Sequence, residues 1–167
     1  MKTTTKQIVI NALLLAVGFL LHYVTPAIGS IQIDFSLITL VLIITLNRSS
    51  FSTCIAGGIA TGIFSGITSK FSMGLILNII DKSVTTVAVY FLIKLLDKTS
   101  LQSKIKTAVV NSVATLISGT VFLVSALLLT GLPASFGVLF TSIVIPAIVV
   151  NTIVGSILDS ICKKYRR

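Results

Sequence analysis

The chain has 167 residues, of which 54% are hydrophobic and 10% charged, with a mean hydropathy of +1.09. That balance excludes a water-soluble globular domain and indicates one integral membrane domain over residues 1–167. The net charge of +9 would suit nucleic acid, but the basic residues lie beside the ends of apolar runs, as the positive-inside rule expects, and no nucleic-acid partner is implied.

Six apolar segments follow in order, at roughly 7–24, 31–46, 51–68, 73–96, 107–131 and 136–160. Each is near the ~20 residues that cross a bilayer. The first contains no small-residue cleavage site after Ile8–Leu21 and reads as a membrane helix that stays. At its end stands His22, the lone histidine. Its bland reading is an amphipathic interfacial cap, and its functional reading a ligand. The second segment is the weakest, because Gln32 and Asp34 stand at its start; it is expected to be short, tilted or partly loop. The third, Cys54 to Gly66, is dense in small residues, which let helices approach closely in lipid. It is expected at the centre of the bundle, with Gly57 and Gly58 serving packing alone.

The fourth segment holds the chief anomaly. Asp81 and Lys82 stand side by side in an apolar run, in a chain with only four acidic residues. A charge at membrane depth is unfavourable by roughly 2.5–3.5 kcal/mol on insertion scales, so such residues face a cavity, a partner or a substrate. At about 100° per residue, Asn78, Asp81, Lys82 and Thr85 share an arc of about 100°. The bland alternative is a buried ion pair that locks this helix to its neighbours. The fifth segment contributes Phe122. The sixth carries Pro146 and Asn151, an amide at membrane depth that either meets a ligand or ties two helices. Cys54 and Cys162 lie in separate segments and read as small apolar residues.

Charge sets the orientation. With six spans both termini share a side, and that side collects Lys2, Lys6, Arg48, Lys94, Lys98, Lys104, Lys106, Lys163, Lys164, Arg166 and Arg167. The opposite side has Lys70 alone, so both termini are expected inside. The inner cations also suit contact with anionic lipid headgroups. The fourth helix then starts outside, which puts Asp81 about 12 Å in, within reach of the outer face. The sequence contains no G-x-x-x-x-G-K-[ST], H-E-x-x-H, G-x-S-x-G or C-x-x-C motif. An enzyme reading has no catalytic set, and neither a metal nor a cofactor is implied.

Several stretches resemble a known family. They are Ala12 to Ala16 with Gly18; Leu21-His22-Tyr23-Val24-Thr25-Pro26; Thr61 to Thr68; Gly74 with Asn78-Ile79-Ile80-Asp81-Lys82 and Thr85; Ser118-Gly119 with Phe122; Gly131-Leu132-Pro133 with Phe136; and Pro146 with Asn151-Thr152-Ile153. Together they span nearly the whole chain, and the Asn-x-x-Asp-Lys run is the most specific. The chain is similar to the substrate-binding S components of energy-coupling factor (ECF) transporters, within them to the tryptophan-specific TrpP branch. The resemblance implies a six-helix all-α bundle in the cell membrane of a bacterium, with both termini cytoplasmic. It implies capture of tryptophan from outside and partnership with an ECF module, a transmembrane coupling protein plus two cytoplasmic ATPases. It also implies that Ala12 and Ala16 are the contact with that coupling protein.

A zwitterionic indole amino acid needs acceptors for its ammonium, donors for its carboxylate and an apolar slot. Asp81 and Lys82 are candidates for the two charges, with Asn78, Thr85 and Asn151 for directional bonds. Phe71, Phe122 and Phe136 are candidates for the slot, since the chain has no tryptophan of its own. His22 and the loop 26–34 are candidates for a lid. Alternatives remain open: another nutrient such as a vitamin, a stand-alone ion- or proton-coupled carrier or channel using Asp81, or a scaffold without ligand.

Overall fold

The computed structural model describes residues 4–28 and 31–165. Lys2, Arg166 and Arg167 of the orienting cations lie outside the described residues, as do Gly29 and Ser30 of the outer loop; Lys163 and Lys164 are described in backbone alone. The elements are α1 Thr5–Val24, a two-stranded hairpin of β1 Ala27–Ile28 and β2 Ile31–Gln32, α2 Ser36–Leu46, α3 Phe51–Ile67, α4 Gly74–Asp97, α5 Ser103–Leu129, α6 Phe136–Leu139, a π-helical turn Phe140–Val144 and α7 Ile145–Tyr165. The last three run on as one rod, so six rods form an all-helical bundle. Among the described residues four rods are long and apolar enough to span: Thr5–Val24, Gly74–Asp97, Ser103–Leu129 and Phe136–Cys162.

Local chemistry sets the ends. Thr4 caps α1 in a reciprocal box with Gln7, the Gln7 N–H donating to Thr4 Oγ1 at 3.4 Å and the Thr4 N–H to Gln7 Oε1 at 3.0 Å. The second rod begins five residues later than the apolar run. Residues 31–32 pair with 27–28 in the hairpin, and Asp34 Oδ1 accepts the Ser36 N–H at 2.9 Å, which starts the helix there. The fifth rod begins at Ser103, four residues before its apolar run, because Lys104 and Lys106 are helical but lie outside the hydrocarbon pattern. The π turn ends two residues before Pro146. Proline has no N–H to return, and its ring crowds the carbonyl four residues back; the wider turn absorbs both.

The centre of the bundle is α2, in the place expected for the third segment. Residues Ser36 to Ile44 of α2 are all buried, and α1, α3, α4, α5 and α7 all pack around it. At 1.5 Å per residue its 11 residues reach about 17 Å. Leu37, Leu40, Val41 and Ile44 join Val89, Tyr90, Ile93, Val110 and Ala114 in an apolar core beside its C-terminal half. The small residues of α3 allow close packing on α4. A Cβ on Gly62 would lie 2.8 Å from Ile79 Cα and 2.9 Å from the Asn78 carbonyl oxygen. With the centre filled by so short a rod, the space above it is left to the hairpin and to a cavity.

Candidate substrate site

The cavity lies between α4, α5 and α7 under the hairpin. Its walls include Phe71, Phe122, Leu123, Ile143, Val144 and Ala147; its polar lining is His22, Gln32, Asp34, Ser69, Asn78, Asp81, Thr115, Ser118 and Asn151. Helix direction orders these by depth. On α4, Asn78 and Asp81 come one and two turns in from Gly74; on α5, Phe122, Ser118 and Thr115 descend from the outer end; on α7, Ala147 and then Asn151 descend likewise. The slot is therefore apolar at mid-height and polar at its floor.

Aromatic geometry shapes the wall. Phe71 and Phe122 meet edge to face with centroids 5.7 Å apart. Phe136 does not line the slot; it stacks on Phe140 at 5.9 Å and packs behind the wall. The π turn brings Ile143 and Val144 into the wall, and Val144 sits so close to α5 that a Cβ on Gly119 would lie 2.7 Å from Val144 Cγ1.

The polar floor is a three-charge network. Lys82 is fully buried. Its ammonium pairs with Asp81 Oδ2, lies 2.5 Å from Asp34 Oδ2, and donates to Ser118 Oγ at 3.2 Å. Asp81 also accepts from Thr85 Oγ1 at 3.0 Å and Ser118 Oγ at 2.9 Å. Asp34 Oδ1 takes the Ser36 N–H and hydroxyl, and that hydroxyl meets Ser65 Oγ at 2.6 Å. Asp34 Oδ2 meets Lys82 as an ion pair and has no other donor.

This arrangement sorts the candidates. Asn78, Asp81, Asn151, His22, Phe71 and Phe122 share the lining. Lys82 and Thr85 are not among the lining residues; they stand behind Asp81 and hold it. Asp34 and Gln32, visible in the sequence only as blemishes on the second apolar segment, are lining residues, as are Ser118 and Thr115. His22 is 3% exposed rather than interfacial. Its Nδ1 lies 2.7 Å from Thr68 Oγ1, whose own proton goes to a backbone carbonyl of Phe64 or Ser65, so Nδ1–H is the donor.

The roof is held by one amide. Gln32 Nε2 donates to the carbonyl oxygens of His22 at 3.2 Å and Thr25 at 2.9 Å, while Gln32 Oε1 accepts the Lys70 N–H at 3.2 Å. Lys70 Nζ donates to the same Thr25 carbonyl at 3.3 Å. Strand β2 is thereby joined to the end of α1 and to the α3–α4 loop. Ala12 and Ala16 lie elsewhere, exposed on α1.

A roofed, half-apolar slot with a charged floor in a six-rod membrane bundle is a candidate site for a small polar-headed molecule. The family model described as "Tryptophan transporter TrpP" matches residues 4–167. The chain belongs to the TrpP tryptophan transporter family. It is similar to proteins named "Probable tryptophan transport protein" from three bacteria. The Clostridium acetobutylicum protein is 42% identical over 168 residues, covering 100% of this chain and 97% of that protein. The Clostridium perfringens protein is 39% identical over 175 residues, covering 99% and 96%. The Bacillus subtilis protein is 41% identical over 150 residues, covering 89% and 86%. No solved structure matches the chain. TrpP membership and the four long apolar rods make this a multi-pass membrane transport protein.

Proposed function

We propose that the chain is the substrate-binding S component of an ECF-type importer and that it takes up tryptophan. The observation that supports this best is the slot itself. Phe71 and Phe122, set edge to face, offer an apolar aromatic wall to an indole, and the acceptor-rich floor offers partners to an ammonium. On the charge-derived orientation the slot opens toward the outside, where a nutrient is captured. The names of the relatives agree with tryptophan as cargo. The sequence has no phosphate-binding loop, so ATP sites would reside on the partner ATPases. Docking on the coupling protein falls to Ala12 and Ala16, whose small side chains leave the α1 backbone open to a second helix.

Titration of the purified chain with tryptophan tests the substrate; saturable binding of a vitamin but not of tryptophan defeats it. Ala12→Trp and Ala16→Trp test the docking. Uptake is expected to vanish while tryptophan affinity stays within about twofold, and loss of binding in these variants contradicts the role. A second reading, an ion-coupled carrier acting alone, draws on the buried Asp34–Lys82–Asp81 network. Uptake that persists in cells lacking the ATPase module favours it over the first.

A further inference from the structure

Among the described residues, Asn151 Oδ1 is a buried side-chain acceptor with no hydrogen-bond donor, and Asp34 Oδ2 has none besides its ion pair with Lys82. They belong to residues that touch. Asn151 Nδ2 donates to the Asp34 carbonyl oxygen and to Thr115 Oγ1, both at 3.3 Å. These bonds fix the amide's sense, because a backbone carbonyl can only accept; the nitrogen must face Asp34, and the oxygen is the end left over. Asn151 is 1% exposed and lines the slot. An amide serving only to tie helices would use both ends, and a buried acceptor without a donor is unfavourable. Oδ1 is thus an acceptor waiting for a donor.

Charge points to what that donor is. Two carboxylates, Asp34 and Asp81, share one ammonium, Lys82, for a formal charge of −1. Lys82 has three N–H groups and three oxygen neighbours, Asp34 Oδ2, Asp81 Oδ2 and Ser118 Oγ, which leaves none for a ligand carboxylate. A negative floor with one open amide acceptor, a carboxylate oxygen that has a lone pair to spare and no open cationic donor matches a group that is cationic and donates only.

We propose that Asp34 and Asn151 form the subsite for the α-ammonium of a zwitterionic amino-acid ligand, and that Lys82 is the strut that positions Asp34 there. The ammonium gives one N–H to Asn151 Oδ1 and another to Asp34 Oδ2, and its charge offsets the network's surplus. This rests on the substrate reading above, and assigns the two charges differently from a pairing of the ligand with both Asp81 and Lys82.

The test compares three indoles on the purified chain: tryptophan, tryptamine, which lacks the carboxylate, and indole-3-propionate, which lacks the ammonium. In the wild type, indole-3-propionate is expected to bind at least tenfold more weakly than tryptophan. Asn151→Leu is expected to weaken tryptophan and tryptamine by roughly 10–100-fold, the loss of one charge-assisted bond, and to leave indole-3-propionate unchanged. Asn151→Ser, which keeps a shorter acceptor, should fall between and serves if the leucine variant does not fold. Equal weakening of all three indoles overturns the proposal, since that is the mark of an indole N–H contact or of a purely structural amide. Wild-type affinity for indole-3-propionate equal to that for tryptophan overturns it as well. If no indole binds but another amino acid does, the tryptophan reading fails while the subsite stands or falls on the same comparison, made with that amino acid and its deaminated analogue. Binding of no ammonium compound at all overturns both.

Discussion

Lys82 is the residue whose removal should harm the fold most. Its ammonium is surrounded by Asp34, Asp81 and Ser118, and without it two carboxylates would face each other in a dry interior. Breaking a buried ion pair from one side typically destabilises by about 3–5 kcal/mol, whereas removing both partners is often nearly neutral. Lys82→Met should therefore lower the unfolding temperature in detergent sharply, and Lys82→Met combined with Asp81→Asn should recover part of it. Equal unfolding temperatures for the single and the double variant would show that the ion pair is not what the lysine contributes. The sequence displayed Asp81 and Lys82 as an anomaly, and helical spacing joined Asn78 and Thr85 to their face. It did not display Asp34, because its partner lies 48 residues further along the chain and a hydropathy pattern records only the disturbance a charge makes in its own segment.

Among elements, the α3–α4 contact is the tightest constraint and the central place of α2 the least expected feature. Gly62 sits where Ile79 Cα and the Asn78 carbonyl leave no room for a methyl group, and these are backbone atoms that cannot turn aside. Gly62→Ala should push the two helices apart at Asn78 and destabilise by about 1–3 kcal/mol, the usual range for overpacking; thermal melting in detergent, with tryptophan affinity as a second readout, checks it. The small-residue pattern of the third segment made such packing legible. The hidden part was which rod would be central. The run from 31 to 46 reads as short or partly loop, and two of its residues do pair in the hairpin while Asp34 Oδ1 takes the first N–H of the helix that remains. Hydropathy cannot tell a segment buried in protein from one buried in lipid, and α2 is the former.

For the whole molecule, the charge count fixes an orientation that labelling can test. A cysteine placed at Lys70 should react with an impermeant thiol reagent on intact cells, and one placed at Lys98 only after permeabilisation; the reverse pattern would invert the bundle. The six rods were readable because spanning length and positive charge are strong signals. The sequence offered deep polar residues for the pocket and the loop 26–34 for its cover, but not the hairpin within that loop, which is too short to leave a pattern. That cover has a consequence in time. Its two short strands pair with each other, and the side chains of Gln32 and Lys70 tie it to the end of α1 and the α3–α4 loop. With this cover as a lid, entry and exit would both wait for those few bonds to part, which would set speed at the rim and selectivity at the floor. Gln32→Ala should accelerate association and dissociation together, with Kd moving little, in stopped-flow measurements of tryptophan binding. That outcome would give a single glutamine control of how long a captured molecule stays, apart from how tightly it is held.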